Sequence, residues 1–159
     1  MSMILRNADS ELFEGLALLM LREGLSVRFQ ARGGSMSPAI RDGEIVEVSA
    51  VKPSKLRKND IILAKTKFGF RLHRIVTMDL ANDIFVTRGD CGQENDPPLK
   101  GAQILGMARS KELRVGWMTV RASFRSGGFL RAAARTQYLT GKLFRKFTAV
   151  RFNPAARSQ

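Results

Sequence analysis

The spacing of apolar residues changes near residue 25, from a helical period to a strand period. Over residues 8–23, apolar residues recur at helical spacing, and Gly24 follows as a stop signal; these residues are Leu12, Leu16, Leu19 and Met20. This spacing predicts an amphipathic helix. A helix of this kind ordinarily covers a sheet edge with its apolar face, and a membrane-surface role is the alternative.

Beyond the helix the apolar residues alternate with polar ones, and turn residues such as Asp42-Gly43 and Asn82-Asp83 separate the segments. Short alternating segments without helices between them predict a mainly β, antiparallel domain of the sandwich or barrel-like kind. A hairpin is predicted around Lys67-Phe68-Gly69. The predicted strands cover residues 25–32, 45–48, 60–64, 70–78, 84–87 and 103–108, with one more strand over 112–121.

The last third of the chain is strongly basic. Residues 109–159 hold twelve of the 27 Lys and Arg residues and only one acid, Glu112. Residues 129–147 combine apolar and basic residues in a pattern that predicts a basic amphipathic helix. The sequence therefore predicts three parts: an N-terminal helix (1–24), a β domain (25–109) and a basic, partly helical extension (110–159). An anionic membrane surface or a protein partner suits the basic helix, and the extension has no nucleic-acid-binding motif.

Composition narrows the functional classes. The chain has 159 residues, 44% of them hydrophobic, which is enough for one globular domain. One cysteine permits no disulfide within the chain, and one cysteine with one histidine makes no recognisable metal motif, so neither a metal nor a cofactor is expected. The apolar run at 15–21 is too short to span a bilayer. We expect a cytoplasmic protein, peripheral at most to the membrane.

Four polar residues supply the groups that nucleophilic catalysis needs. Gly33-Gly34-Ser35 is a flexible turn sequence that can present a serine hydroxyl. His73 is the only histidine, and an imidazole suits the role of general base near neutral pH. Asp90 and Asp96 are both candidates for the carboxylate that orients the imidazole. Both also lie in good turn sequences, so the sequence leaves the choice open.

These residues belong to a series of short motifs that resembles the conserved boxes of the type I signal peptidases. A histidine at position 73 resembles the Ser–His members, whereas the bacterial members have a lysine there. The resemblance covers about residues 30–108. The matching segments, in order, are Gly34-Ser35-Met36-Ser37-Pro38, Asp42-Gly43-Glu44, Lys58-Asn59-Asp60-Ile61, His73-Arg74-Ile75-Val76, and Gly89-Asp90 followed by Asp96.

The resemblance implies a serine endopeptidase that cleaves leader or signal-type peptides after small residues. It implies Ser35 as nucleophile, His73 as general base and Asp96 as the acidic partner, with Asp90 supporting the site. It also implies the signal-peptidase/LexA-like fold and an acyl-enzyme mechanism.

For substrate binding, the resemblance implies an extended peptide that adds as a strand beside the serine segment. Gly34 and Met36 are then expected at the substrate, with Met36 near a pocket for a small side chain.

One departure supports a second hypothesis. The family usually carries a hydroxyl residue two positions before the nucleophile, at the oxyanion hole, and this chain has Gly33 there. Loss of one oxyanion donor typically costs about 10²–10³ in rate. The alternative function is therefore a catalytically weak or inactive peptide-binding module of the same fold. Nucleic-acid binding through the basic extension is the third hypothesis, which the lack of a recognition motif disfavours.

Overall fold

The computed structural model describes residues 4–5, 10–115 and 118–124, all within one compact unit, Met1–Gly127. This part of the chain is a mainly antiparallel β-sheet with one N-terminal α-helix. Two short 3₁₀ helices, Pro53–Lys55 and Gly101–Gln103, lie in the connections. The elements in chain order are β1 (Ile4–Leu5), α1 (Ser10–Arg22), β2 (Ser26–Gln30), β3 (Ile45–Ser49), β4 (Ile61–Thr66), β5 (Gly69–Asp79), β6 (Ile84–Arg88), β7 (Ile104–Val115) and β8 (Met118–Ser123).

The strands form one sheet in the order β1-β2-β3-β7-β4-β5-β6, and β8 pairs with β7. Among the pairs of described strands, only β1–β2 is parallel. The pairing shifts register between Leu63 and Ala64 of β4 and between Ile75 and Thr77 of β5. Such irregularities increase the local twist of a sheet and change the direction in which side chains point.

Strand β4 is buried on both of its faces. Its sequence Ile61-Ile62-Leu63-Ala64 is a continuous apolar run, as expected for a strand covered on two sides. Ile61 and Leu63 belong to a first core cluster, which also contains side chains of α1, β2 and β3. Ile62 and Ala64 belong to a second cluster with residues of β5, β6 and the 99–107 region. Strand β4 thus lies between the two cores, and it holds β5 in place by pairing with it.

Strand β5 changes its pairing partner partway along its length. Residues 69–74 pair with β4, whereas residues 74–79 pair with β6. None of the other described strands pairs with residues 69–73 on the side away from β4. The N-terminal half of β5 therefore has an open edge.

Most of the predicted elements are confirmed: the helix, the first six strands and the hairpin between β4 and β5. The strand predicted over 112–121 is wrong. Val115 pairs with Met118 across two antiparallel strands, because β7 continues to Val115 and β8 returns along it. Strand β1 was not predicted. The basic helix predicted over 129–147 lies outside the described residues.

The buried face of α1 is only partly the one predicted, because Met20 packs against the first core but two of the predicted leucines are exposed. Leu12 and Leu19 are 70% and 58% exposed. Phe13 and Ala17 instead pack on the first core, where the Phe13 ring makes edge-to-face contacts with Phe29 and Phe70. An aromatic ring buries more apolar area than a leucine side chain, so the helix face that carries Phe13 packs against the sheet. Among the described helices, none is long and apolar enough to cross a bilayer.

A matched pair of glycine substitutions tests the sheet packing. In Gly106→Ala, the added Cβ would lie 2.7 Å from the Ser49 carbonyl oxygen and 2.7 Å from Val48 Cγ1. We expect a loss of about 1–3 kcal/mol in the free energy of unfolding, measured by urea titration. Gly15→Ala, within α1 and with nothing within 4 Å of the new Cβ, is the control and should stabilise by up to about 1 kcal/mol. Equal effects from both variants would contradict this packing.

Candidate active site

Ser35 lies on an exposed turn whose two flanks are fixed. The Ala31 N–H donates to the Glu44 carbonyl oxygen at 2.8 Å, and the Gly33 N–H donates to Asp42 Oδ1 at 2.7 Å. Gly33 has a φ of +85°, in the left-handed region that favours glycine. After the serine, the buried Met36 side chain anchors the turn in the first core. The hydroxyl is thus accessible on a loop held at both ends.

His73 reaches this serine from β5. The distance from His73 Nε2 to Ser35 Oγ is 3.1 Å, which is hydrogen-bonding distance. The histidine side chain is only 13% exposed, and its strand is paired with β4 at this position. The imidazole therefore approaches an accessible hydroxyl from a rigid element, the arrangement required of a general base.

Asp96, and not Asp90, contacts the far side of the imidazole. His73 Nδ1 lies 2.6 Å from Asp96 Oδ2. The Thr87 hydroxyl donates to the same Asp96 oxygen at 2.7 Å, and Arg71 Nη1 donates to Asp96 Oδ1 at 2.9 Å. The Asp96 backbone N–H also donates to the Thr87 carbonyl oxygen at 2.8 Å. Both carboxylate oxygens are thus occupied and the residue cannot rotate freely.

These donors keep the carboxyl of Asp96 ionised. Partial burial opposes the charge, but the hydrogen bonds from His73 and Thr87 and the positive charges of His73 and Arg71 outweigh it, so the pKa of Asp96 lies below its usual value of 3.8. An ionised carboxylate only accepts hydrogen bonds. Nδ1 of His73 must therefore carry a proton, which leaves Nε2 of the neutral ring free to accept the Ser35 hydroxyl proton.

The 89–92 loop packs against the turn that carries Ser35. The Cys91 N–H donates to the Ser35 carbonyl oxygen at 2.9 Å. A Cβ on Gly89 would lie 2.7 Å from that same oxygen and 3.2 Å from His73 Nε2, so only glycine fits this approach. Asp90 accepts two hydrogen bonds from Arg74, at 2.7 and 2.6 Å, and so ties the loop to β5. Asp90 supports the loop and does not contact the imidazole.

The other predicted site residues lie around the serine without touching the imidazole. Gly34 is exposed beside Ser35, and its carbonyl oxygen accepts the Ser37 N–H at 3.0 Å. Met36 is only 4% exposed, and it packs in the first core, away from the cavity described below. Gly33 is exposed and brings no hydroxyl to the site.

Two residues of the site, Arg71 and Thr87, were not identified from the sequence. Arg71 lies two positions before His73 and therefore on the same face of β5, a signal that was available. Thr87 occupies a buried position in the alternating pattern of β6 and is only 1% exposed. A polar side chain at an inward position of a strand needs a partner, and here the partner is the Asp96 carboxylate.

A cavity of about 380 Å³ lies beside this hydrogen-bonded group. Arg71, His73, Thr87 and Asp96 form one wall. The remaining lining comes from β4, the β4–β5 hairpin, the 97–99 segment and Gln103. Within the described residues, no group of three or more His, Cys, Asp or Glu side chains could hold a metal ion. The chemistry available here is acid–base and nucleophilic, through Ser35 and His73.

The lowered pKa of Asp96 predicts a pH-dependent contribution to folding. The folded state binds this proton less tightly than the unfolded chain. The stabilisation is therefore present above pH 3.8, the ordinary value, and is lost as pH falls through the lowered pKa. The difference in unfolding free energy between wild type and Asp96→Asn should shrink below pH 3.8. Glu94→Gln, at an exposed loop position, is the control. If the difference in unfolding free energy between wild type and Asp96→Asn stays constant down to low pH, the lowered pKa of Asp96 is contradicted.

The close approach of Gly89 to Ser35 gives a second prediction. Gly89→Ala should force the 89–92 loop and the serine turn apart, with a cost of about 1–3 kcal/mol in unfolding free energy. Gly92→Ala is the matched control, because its new Cβ would meet nothing closer than 3.5 Å. Chemical denaturation of both variants measures the difference. Equal stability would show that the loop does not seat against the serine as described.

Comparison with known proteins gives no family assignment: no family model matches the chain, and no curated protein matches it significantly.

Proposed function

We propose that this protein is a serine endopeptidase of the Ser–His type, resembling the type I signal peptidases, which cleaves leader or signal-type peptides after small residues. The observation that carries the proposal is the chain of hydrogen bonds from Asp96 through His73 to Ser35, at 2.6 and 3.1 Å. The order of motifs along the sequence supports the same activity. Asp90 and Gly89 hold the loop that seats against the serine.

The first chemical step forms an acyl-enzyme. The Ser35 hydroxyl oxygen attacks the scissile carbonyl carbon while His73 Nε2 takes the hydroxyl proton. The tetrahedral intermediate then collapses, the C–N bond breaks, and the imidazolium returns that proton to the leaving amine. Asp96 accepts the Nδ1–H bond throughout and stabilises the imidazolium.

The second step reverses these roles with water. His73 Nε2 removes a proton from a water molecule, whose oxygen attacks the ester carbonyl of the acyl-enzyme. The C–O bond to Ser35 breaks, and the proton on the imidazolium passes to the serine oxygen. The enzyme is regenerated and the peptide leaves with a new carboxylate.

The open edge of β5 is suited to binding an extended peptide. Residues 69–73 have one unpaired side among the described strands, and His73 lies at the end of this stretch. A peptide that adds as a strand there gains main-chain hydrogen bonds irrespective of its sequence. Its backbone would pass close to the Ser35–His73 pair. Strand addition therefore brings a peptide bond to the nucleophile.

The oxyanion must be stabilised by backbone donors in this chain. Gly33 supplies no hydroxyl, so the Ser35 N–H is the candidate donor at the serine turn. With one donor fewer than the family usually provides, we expect turnover about 10²–10³ slower than with a complete oxyanion hole.

A peptide-cleavage assay tests the activity. Wild type, Ser35→Ala and Ser37→Ala are incubated with a diverse peptide pool containing Ala-x-Ala sites, and the products are read by mass spectrometry. We expect cleavage by wild type and by Ser37→Ala, which loses a hydroxyl from the same turn, and none by Ser35→Ala. Cleavage by Ser35→Ala at the wild-type rate would contradict the proposal.

Substitution of Asp96 tests whether this carboxylate orients the imidazole during catalysis or only stabilises the fold. Asp96→Asn should lower kcat by about 10⁴, because the amide can donate to Nδ1 and favour the wrong imidazole tautomer. KM should change little, since asparagine keeps the size and shape of the side chain in the cavity wall. Steady-state kinetics on one cleaved peptide measures both. A KM effect with unchanged kcat would place Asp96 in substrate binding instead.

The second candidate is a peptide-binding module of the same fold, favoured by the absence of a hydroxyl at Gly33. The open edge of β5 would serve binding alone equally well. A wild type that binds peptides with the affinity of Ser35→Ala, and cleaves none of them, would favour this function over the peptidase.

A further inference from the structure

We propose that the 380 Å³ cavity beside His73 is a subsite for a large apolar side chain of the peptide substrate, at the middle position of an Ala-x-Ala site. This inference rests on the proposed peptide-binding function and deepens it. The cavity adjoins the base but is not lined by Ser35, so it is separate from the point of attack.

Strand geometry connects the cavity to the substrate. Side chains on β5 alternate, so Arg71 and His73 lie on one face and Phe70 and Leu72 on the other. A strand added at the open edge alternates between the same two faces, about 4.8 Å from β5. Side chains that face each other across such a pair have Cβ atoms about 5 Å apart. Every second substrate residue is therefore directed to the face that bears the cavity.

The two faces offer different amounts of space. On the Phe70 face, the first core is packed with aromatic and aliphatic side chains, among them Phe13, Phe29 and Met36. Only small substrate side chains fit against a filled surface of this kind. On the Arg71 face there is a cavity of about 380 Å³, within the range of ligand pockets. If alternate alanines of an Ala-x-Ala site face the packed surface, the middle residue faces the cavity.

The lining of the cavity indicates the side chain it would accept. Most of the wall is apolar, with Ile62 and Ala64 from β4 and Phe68 from the hairpin tip, together with the side chains of Pro97, Pro98 and Leu99. Lys67 and Arg71 also line it, and Arg71 is paired with Asp96. A leucine or phenylalanine would bury its surface there, whereas a lysine would have to bring its charge against a mostly apolar wall that already carries Lys67.

Peptides that differ at one position test the subsite. Three substrates with the sites Ala-Leu-Ala, Ala-Ala-Ala and Ala-Lys-Ala are compared by kcat/KM with wild type, and by fluorescence anisotropy with Ser35→Ala. We expect the leucine peptide to exceed the alanine peptide by about tenfold or more, and the lysine peptide to be no better than alanine. The same order is expected in the binding constants.

Variants of the cavity wall test whether the preference for the leucine peptide depends on this cavity. Phe68 is 78% exposed, so Phe68→Ala removes an apolar wall at low risk to folding. It should reduce the leucine-to-alanine ratio severalfold. Ala64→Leu, which fills the cavity from its floor, should abolish the preference, with folding checked by circular dichroism. Leu80→Ala, at an exposed leucine that does not line the cavity, is the control and should leave the ratio unchanged.

The two proposals fail in distinguishable ways. Equal kcat/KM for the leucine and alanine peptides in an active wild type would overturn the subsite and leave the peptidase standing. An unchanged ratio in Phe68→Ala and Ala64→Leu would also overturn it. If wild type cleaves none of the peptides, the peptidase fails. Anisotropy then decides the subsite, which is upheld by tighter binding of the leucine peptide and overturned by equal binding.

Discussion

The ionised carboxylate of Asp96 is the interaction on which the candidate site depends. Burial alone would destabilise the charged form of the Asp96 carboxylate. Hydrogen bonds from Arg71 and His73 of β5 and from Thr87 of β6 offset this destabilisation. Because the charge persists at neutral pH, His73 must hold its proton on Nδ1 and offer Nε2 to Ser35. In the proposed mechanism, the direction of proton transfer thus follows from the environment of a residue that takes no direct part in the bonds made and broken.

The sheet supplies the rigidity that this arrangement needs. Strand β4 is buried on both faces, and it pairs with the half of β5 that carries Arg71 and His73. The other side of that half has no partner among the described strands, since β6 pairs only from Arg74 onward. One strand therefore positions His73 and also has the free edge to which the proposed peptide would pair. The same alternation of side chains that places Arg71 beside His73 directs every second residue of an added strand toward the cavity.

Much of this could be predicted from the sequence, because alternation and turn residues are local signals. The helix, six strands and the β4–β5 hairpin are of this kind. The association of Ser35 with His73 is not local, and it was implied by the resemblance of the motifs to those of a known family. The choice between Asp90 and Asp96 could not be made, since both lie in turns and only the folded loop brings Asp96 to Nδ1. The reversal between β7 and β8 was missed although it is local, between Val115 and Met118. The buried face of α1 depended on packing over long sequence distances.

The tautomer of His73 is the most direct test of this account, and as the chain's only histidine it gives an unambiguous signal. Nitrogen-15 NMR of the imidazole, at a pH where the ring is neutral, distinguishes a protonated Nδ1 from a protonated Nε2. The account predicts a proton on Nδ1 and a bare Nε2 in wild type, with this preference lost in Asp96→Asn. A neutral ring with its proton on Nε2 in wild type would contradict it, because that nitrogen could not accept the serine proton.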